Sequence, residues 1–93
     1  MITIILASGL TSGNGATESL AFPLSKGAKK GVVQVEGING DTVLIQGRLE
    51  GSMAWATIKT FTADGAEELV LLPEMRASIS VDGTGTVNAR IGA

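Results

Sequence analysis

The feature that most constrains this chain is the alternation of apolar and polar residues through its second half. Met75-Arg76-Ala77-Ser78-Ile79-Ser80-Val81 alternates almost without interruption. Asp82-Gly83-Thr84-Gly85 then turns the chain, and Val87-Asn88-Ala89-Arg90-Ile91 alternates again. Successive side chains of a β-strand point to opposite faces, so a period of two means one buried face and one wet face. Residues 32–38, 42–50 and 53–61 are also rich in strand-forming residues, with Gly, Asp, Asn and Ser turns between them. Several short strands spaced by turns predict an antiparallel sandwich or barrel and argue against helical and α/β folds.

Read along its length, the chain gives about eight strands. Residues 2–7 form a continuous apolar run, expected as a strand covered on both faces. Residues 9–17 are small, polar and Gly-rich, which predicts a flexible loop. Residues 18–24 return to strand character, with Leu20 and Phe22 on one side and Pro23 favouring an edge. Residues 25–31 carry Lys26, Lys29 and Lys30 in a basic exposed loop. Asn39-Gly40-Asp41 predicts a hairpin that returns 42–50 against 32–38. Gly51-Ser52 turns the chain again, and residues 67–72 are read as a strand that Pro73 ends. The expected fold is one all-β domain over residues 1–93, an antiparallel sandwich.

Composition says what such a sandwich needs. The chain has 93 residues, 44% hydrophobic and 17% charged, against about 25% charged in an ordinary soluble domain. A small domain buries a limited share of its surface. The expectation is that partner chains, including copies of itself as a dimer or trimer, cover part of its apolar surface. The net charge of −2 gives no basic footprint, so nucleic acid is not expected as a partner. There is no Cys and no His, which removes thiolate and imidazole catalysis and most zinc chemistry. Residues 1–8 have no basic n-region and too short an apolar core for an export signal. No segment approaches the ~18 apolar residues of a membrane span. The first strand is therefore expected in a chain made in the cytoplasm and not bound to a membrane.

The ordered pieces Thr42-Val43-Leu44-Ile45-Gln46-Gly47, Trp55-Ala56-Thr57-Ile58, Leu72-Pro73-Glu74-Met75-Arg76-Ala77 and Gly83-Thr84-Gly85-Thr86 resemble a group of small virion proteins of tailed bacteriophages. In that group a strand ending in LQGS leads to a W-x-T-L strand, then a P-x-x-R-A strand, then a GTGT turn. The likeness covers roughly residues 32–92. Arg48-Leu49-Glu50 stands where the group often has a Ser and an Asp-Gly turn. The resemblance implies a jelly-roll-like β-sandwich on the capsid exterior, a decoration (cement) protein or head fibre that binds the major capsid protein. The rivals it leaves open are a tail or head–tail accessory component and a carbohydrate-binding host-adhesion module.

Individual residues follow from these readings. Trp55, the single Trp, is expected in the core between the sheets, since a large ring usually carries substantial burial; an exposed Trp55 would favour sugar stacking. Asp41, Asp64 and Asp82 beside turn residues are expected to hydrogen-bond turn backbone rather than gather calcium. Arg48 and Arg90 are expected on one side, pairing with Glu36 or Glu50. Arg76 is a candidate protein contact. Lys26, Lys29 and Lys30 are candidates to meet an acidic neighbour, with Glu67 and Glu68 as their complement in another copy. Gly9 to Gly15 lacks the Gly-Lys-Ser/Thr ending of a phosphate loop. It instead suggests a hinge through which residues 1–8, with Ile2, Ile4 and Leu6, pair with a neighbouring subunit. No constellation supports catalysis, so no enzyme, cofactor or metal site is expected.

Overall fold

The computed structural model describes residues 3–16, 18–19 and 30–92, and every regular element in them is a strand. In chain order these are β1 (Thr3–Leu10), β2 (Gly13–Asn14), β3 (Glu18–Ser19), β4 (Lys30–Glu36), β5 (Thr42–Arg48), β6 (Ala56–Phe61), β7 (Gly65–Val70), β8 (Glu74–Val81) and β9 (Val87–Gly92). They build two antiparallel sheets. The first has the order β1-β9-β4-β7 and the second β2-β8-β5-β6, with β3 also pairing β8. β2 meets β8 at Ile79 and Ser78, and β3 meets it at Met75 and Glu74. These two short pieces act as one interrupted edge strand, which brings the count to the expected eight.

The pairings nest. β1 pairs β9, β2 and β3 pair β8, β4 pairs β7, and β5 pairs β6. That is the ladder of one long hairpin with its tip between β5 and β6. The hairpin is rolled until β4 meets β9 and β5 meets β8. The result is a jelly-roll sandwich. Its smallest extent is 17 Å, as two stacked sheets about 10 Å apart with their outward side chains require.

The core lies between the sheets, where alternation places it. Val33 and Val35 of β4, Val43 and Ile45 of β5, Met75 and Ala77 of β8, and Val87, Ala89 and Ile91 of β9 are all buried. Each large side chain fully removed from water contributes about 1.5–3 kcal/mol.

Three expectations about local segments change. Asn39-Gly40-Asp41 is not a hairpin, because β4 and β5 lie in different sheets. Gly40 does turn the chain, with φ of 80°, but the roll decides which strands pair. β1 is not covered on both faces: it stands at a sheet edge and Ile5 is 48% exposed. Register irregularities between Ile5, Ala7 and Leu10 put Leu6 and Ala7 into the core together. Residues 9–16 of the expected 9–17 loop are tied to the sheets at several points. β1 continues to Leu10, β2 pairs β8, and the Gly15 amide donates to the Ala77 carbonyl at 2.7 Å. Of the 18–24 strand, Glu18–Ser19 forms as expected; Leu20, Phe22 and Pro23 lie outside the described residues.

Candidate contact site on the second sheet

The outward face of the second sheet is polar by the same alternation that fills its inward face. Gln46 and Arg48 project from β5, and Glu74, Arg76 and Ser78 from β8. The register sets Gln46 opposite Arg76 and Arg48 opposite Glu74. Arg48 Nε donates to Glu74 Oε1 at 2.6 Å, both side chains being part-buried. Arg76 Nε donates to Gln46 Oε1 at 2.8 Å, and Gln46 Nε2 donates weakly to Thr57 Oγ1 at 3.4 Å. Ser78 Oγ donates to Asn14 Oδ1 at 2.7 Å and closes the face toward β2.

Trp55 lies on this face. It ends the 49–55 connection of the β5–β6 hairpin, just before β6, and is half-buried. The Arg48 guanidinium carbon is 4.1 Å from the ring centroid and that of Arg76 is 4.3 Å. A guanidinium over an indole gains about 0.5–1 kcal/mol where water still reaches the pair. Burial lowers the pKa of Arg76, and the neighbouring charge of Arg48 lowers it further. Arg76 remains charged at any ordinary pH. The same connection exposes Leu49 at 59% and Met53 at 47%.

The chemistry of this patch is that of contact. It has no nucleophile poised beside a base. It has two planar cations, one matched by a carboxylate and one hydrogen-bonded to a neutral amide, set against a large ring. Trp, Arg and Met are the residue types enriched in protein interfaces.

The other candidate residues are dispersed. Leu6 is 1% exposed and belongs to the core, and Ile4 packs partly buried against it. Ile2, Lys26 and Lys29 lie outside the described residues. Lys30 opens β4, exposed, opposite Val70. Glu67 lies 3.5 Å from Lys59 of its own chain, an exposed pair of the kind that contributes little. Arg48 and Arg90 do not share a face. Arg90 projects from β9 on the outside of the first sheet, and Arg48 pairs with Glu74, neither Glu36 nor Glu50. Trp55 is not in the core, which is filled by Val, Ile, Leu, Ala and Met with Phe61 as its one ring among the described residues. The convergence of Trp55, Arg48 and Arg76 escaped the sequence reading because it requires β5 beside β8. The outward parity of both arginines was its only trace in the chain.

Two of the three turn acids, Asp41 and Asp64, hydrogen-bond backbone amides as their setting predicts. Asp41, 1% exposed, accepts from the amides of Gly83 at 2.7 Å and of Asn39 and Gly85 at 3.0 Å. The Asn39 amide first, then that of Gly83, hold its carboxyl below the usual carboxylate range. Burial opposes them and the Gly85 amide adds to them. Asp64 Oδ1 accepts from the Ile38 amide at 2.8 Å. Among the described residues no group of three metal-ligating side chains gathers, and no helix is long and apolar enough to cross a membrane.

Compared with protein-family models, curated proteins and solved structures, the chain matches none.

Proposed function

We propose that this chain is a structural virion protein of a tailed bacteriophage, one that decorates or cements the assembled capsid by binding the major capsid protein. The observation that carries the reading is the cluster of Trp55, Arg48 and Arg76 on the wet face of a jelly-roll sandwich, in a chain that also exposes Leu49 and Met53 in the connection leading to Trp55. The order of the strand motifs from Thr42 to Thr86 supports it. Binding would act by covering surface between neighbouring capsid subunits, gaining about 25 cal/mol per Å² of apolar area before the costs of association. Repetition over the lattice, or self-association into a dimer or trimer, would then add avidity. Such a protein needs no cofactor and performs no reaction.

Co-sedimentation tests this. The purified chain is mixed with empty shells of the major capsid protein encoded in the same genome. Saturable recovery in the pellet, at a fixed number of copies per shell, is the expected result; a chain left wholly in the supernatant refutes the proposal.

A second reading, a carbohydrate-binding module for host adhesion, rests on the position of Trp55 outside the core and has against it the two guanidinium groups over the ring. A tail or head–tail accessory role would use the same patch at another place on the virion. Titrating host surface polysaccharide while following Trp55 emission separates adhesion from shell binding.

A further inference from the structure

The two arginines on the outer face of the second sheet are not equally paired. Arg48 is matched by Glu74 at 2.6 Å. Arg76 gives its Nε to the neutral Gln46 and has no carboxylate within ion-pair distance among the described residues. Arg76 therefore carries a positive charge with no direct partner, in a chain whose net charge is −2. That charge is also held in place. The Gln46 hydrogen bond fixes one edge of the guanidinium, and the Trp55 ring lies 4.3 Å from its carbon. Among the described residues its terminal nitrogens donate to nothing. They form the edge that pairs in parallel with the two oxygens of a carboxylate. An ordered Arg loses less side-chain entropy on binding than a free one.

We infer that Arg76 and Trp55 form the centre of a docking face whose occupant is a protein surface presenting a carboxylate among apolar side chains. The carboxylate takes the free edge of Arg76, and the apolar residues around it cover Leu49 and Met53. Charge complementarity carries the choice of partner. A sugar would want an open ring face, yet two guanidinium groups already lie over this one. A nucleic acid would meet Glu74 within the same patch. The inference rests on the capsid-binding reading, and names the face and the chemistry that reading leaves open.

The test uses the whole chain and the same empty shells, with three variants whose thermal melts are recorded first. Arg76→Gln should lower shell affinity by about tenfold or more, as expected for a central contact. Arg76→Lys should fall between Gln and wild type, because it keeps the charge and loses the planar fork. Arg90→Gln, on the opposite face, should bind as wild type does. Added salt should weaken wild type more than Arg76→Gln. Wild type that does not bind shells sinks the capsid reading, and this inference with it. Wild type and Arg76→Gln binding equally well sinks the inference alone. It is also overturned if Arg76→Gln acts by dissolving a homo-oligomer, or if Trp55 emission responds to polysaccharide and not to shells.

Discussion

At the residue scale, Asp41 ties together two connections at one end of the sandwich. Its carboxylate collects amides from Asn39 in the β4–β5 connection and from Gly83 and Gly85 in the β8–β9 connection. A Cβ on residue 85 would strike the Gly37 carbonyl oxygen and Asp41 Oδ2, so only glycine lets the two connections close on each other. Because folding lowers the pKa of Asp41, the charged form stabilises the fold. That contribution is complete above the unfolded value, about pH 4, and is lost as pH falls through the lower folded value. Asp41→Asn should therefore be less stable than wild type at pH 7, and the gap should narrow on acidification below pH 4. Urea melts across that range check this; a gap that widens toward acid contradicts it. Trp55 gives a second prediction. A core Trp cut to Ala costs about 3–5 kcal/mol. A half-buried Trp55 held by two cation–π contacts should cost only about 1–2 kcal/mol, measured by urea denaturation of Trp55→Ala.

At the element scale, β1 is the strand whose role changes most between the two levels of description. An apolar segment followed by Gly-rich residues suggests a strand that leaves its own subunit. In the fold it pairs with β9 of its own chain and places Leu6 and Ala7 in the core. Removing a buried Leu side chain alone costs about 2–5 kcal/mol, and a domain of this kind has about 5–15 kcal/mol in all. Deleting residues 1–8 should leave a chain that is mostly unfolded. Loss of dispersion in amide NMR spectra would report it. A truncated chain that stays folded and loses only assembly would restore strand exchange. The β5–β6 hairpin is the opposite case. Among the described residues it is the one local hairpin, its turn residues predicted it, and its 49–55 connection carries Trp55 to the outer face of the second sheet.

At the scale of the whole molecule, nested pairing makes folding a long-range event. β1 meets β9 across nearly the full chain, and β2 and β3 meet β8 across most of it. Closing such loops costs entropy before the contacts that repay it can form. Refolding should take milliseconds to seconds, as in other β-sandwiches of high contact order. Stopped-flow far-UV circular dichroism after urea dilution measures it, and relaxation within microseconds would contradict the nested ladder. The same roll makes two outer faces of different character. The first sheet presents Ile5, Val32, Val70 and Arg90, and the second presents the Arg48–Trp55–Arg76 cluster.

Alternation by itself determined that residues 75–81 and 87–91 are strands with one buried face, and strand-forming residues between turns marked 42–50, because strand parity depends only on position in the chain. It also placed Asp41 and Asp64 at turns, where a short carboxylate can reach backbone amides. Only the tertiary structure decided that β4 and β5 part company at Asn39-Gly40, that Arg48 and Arg90 face opposite ways, and that Trp55 lies over two arginines outside the core. Parity says in or out, but not into which sheet. That choice follows from how one long hairpin rolls to bury its apolar face, a property of the whole chain that no local segment encodes.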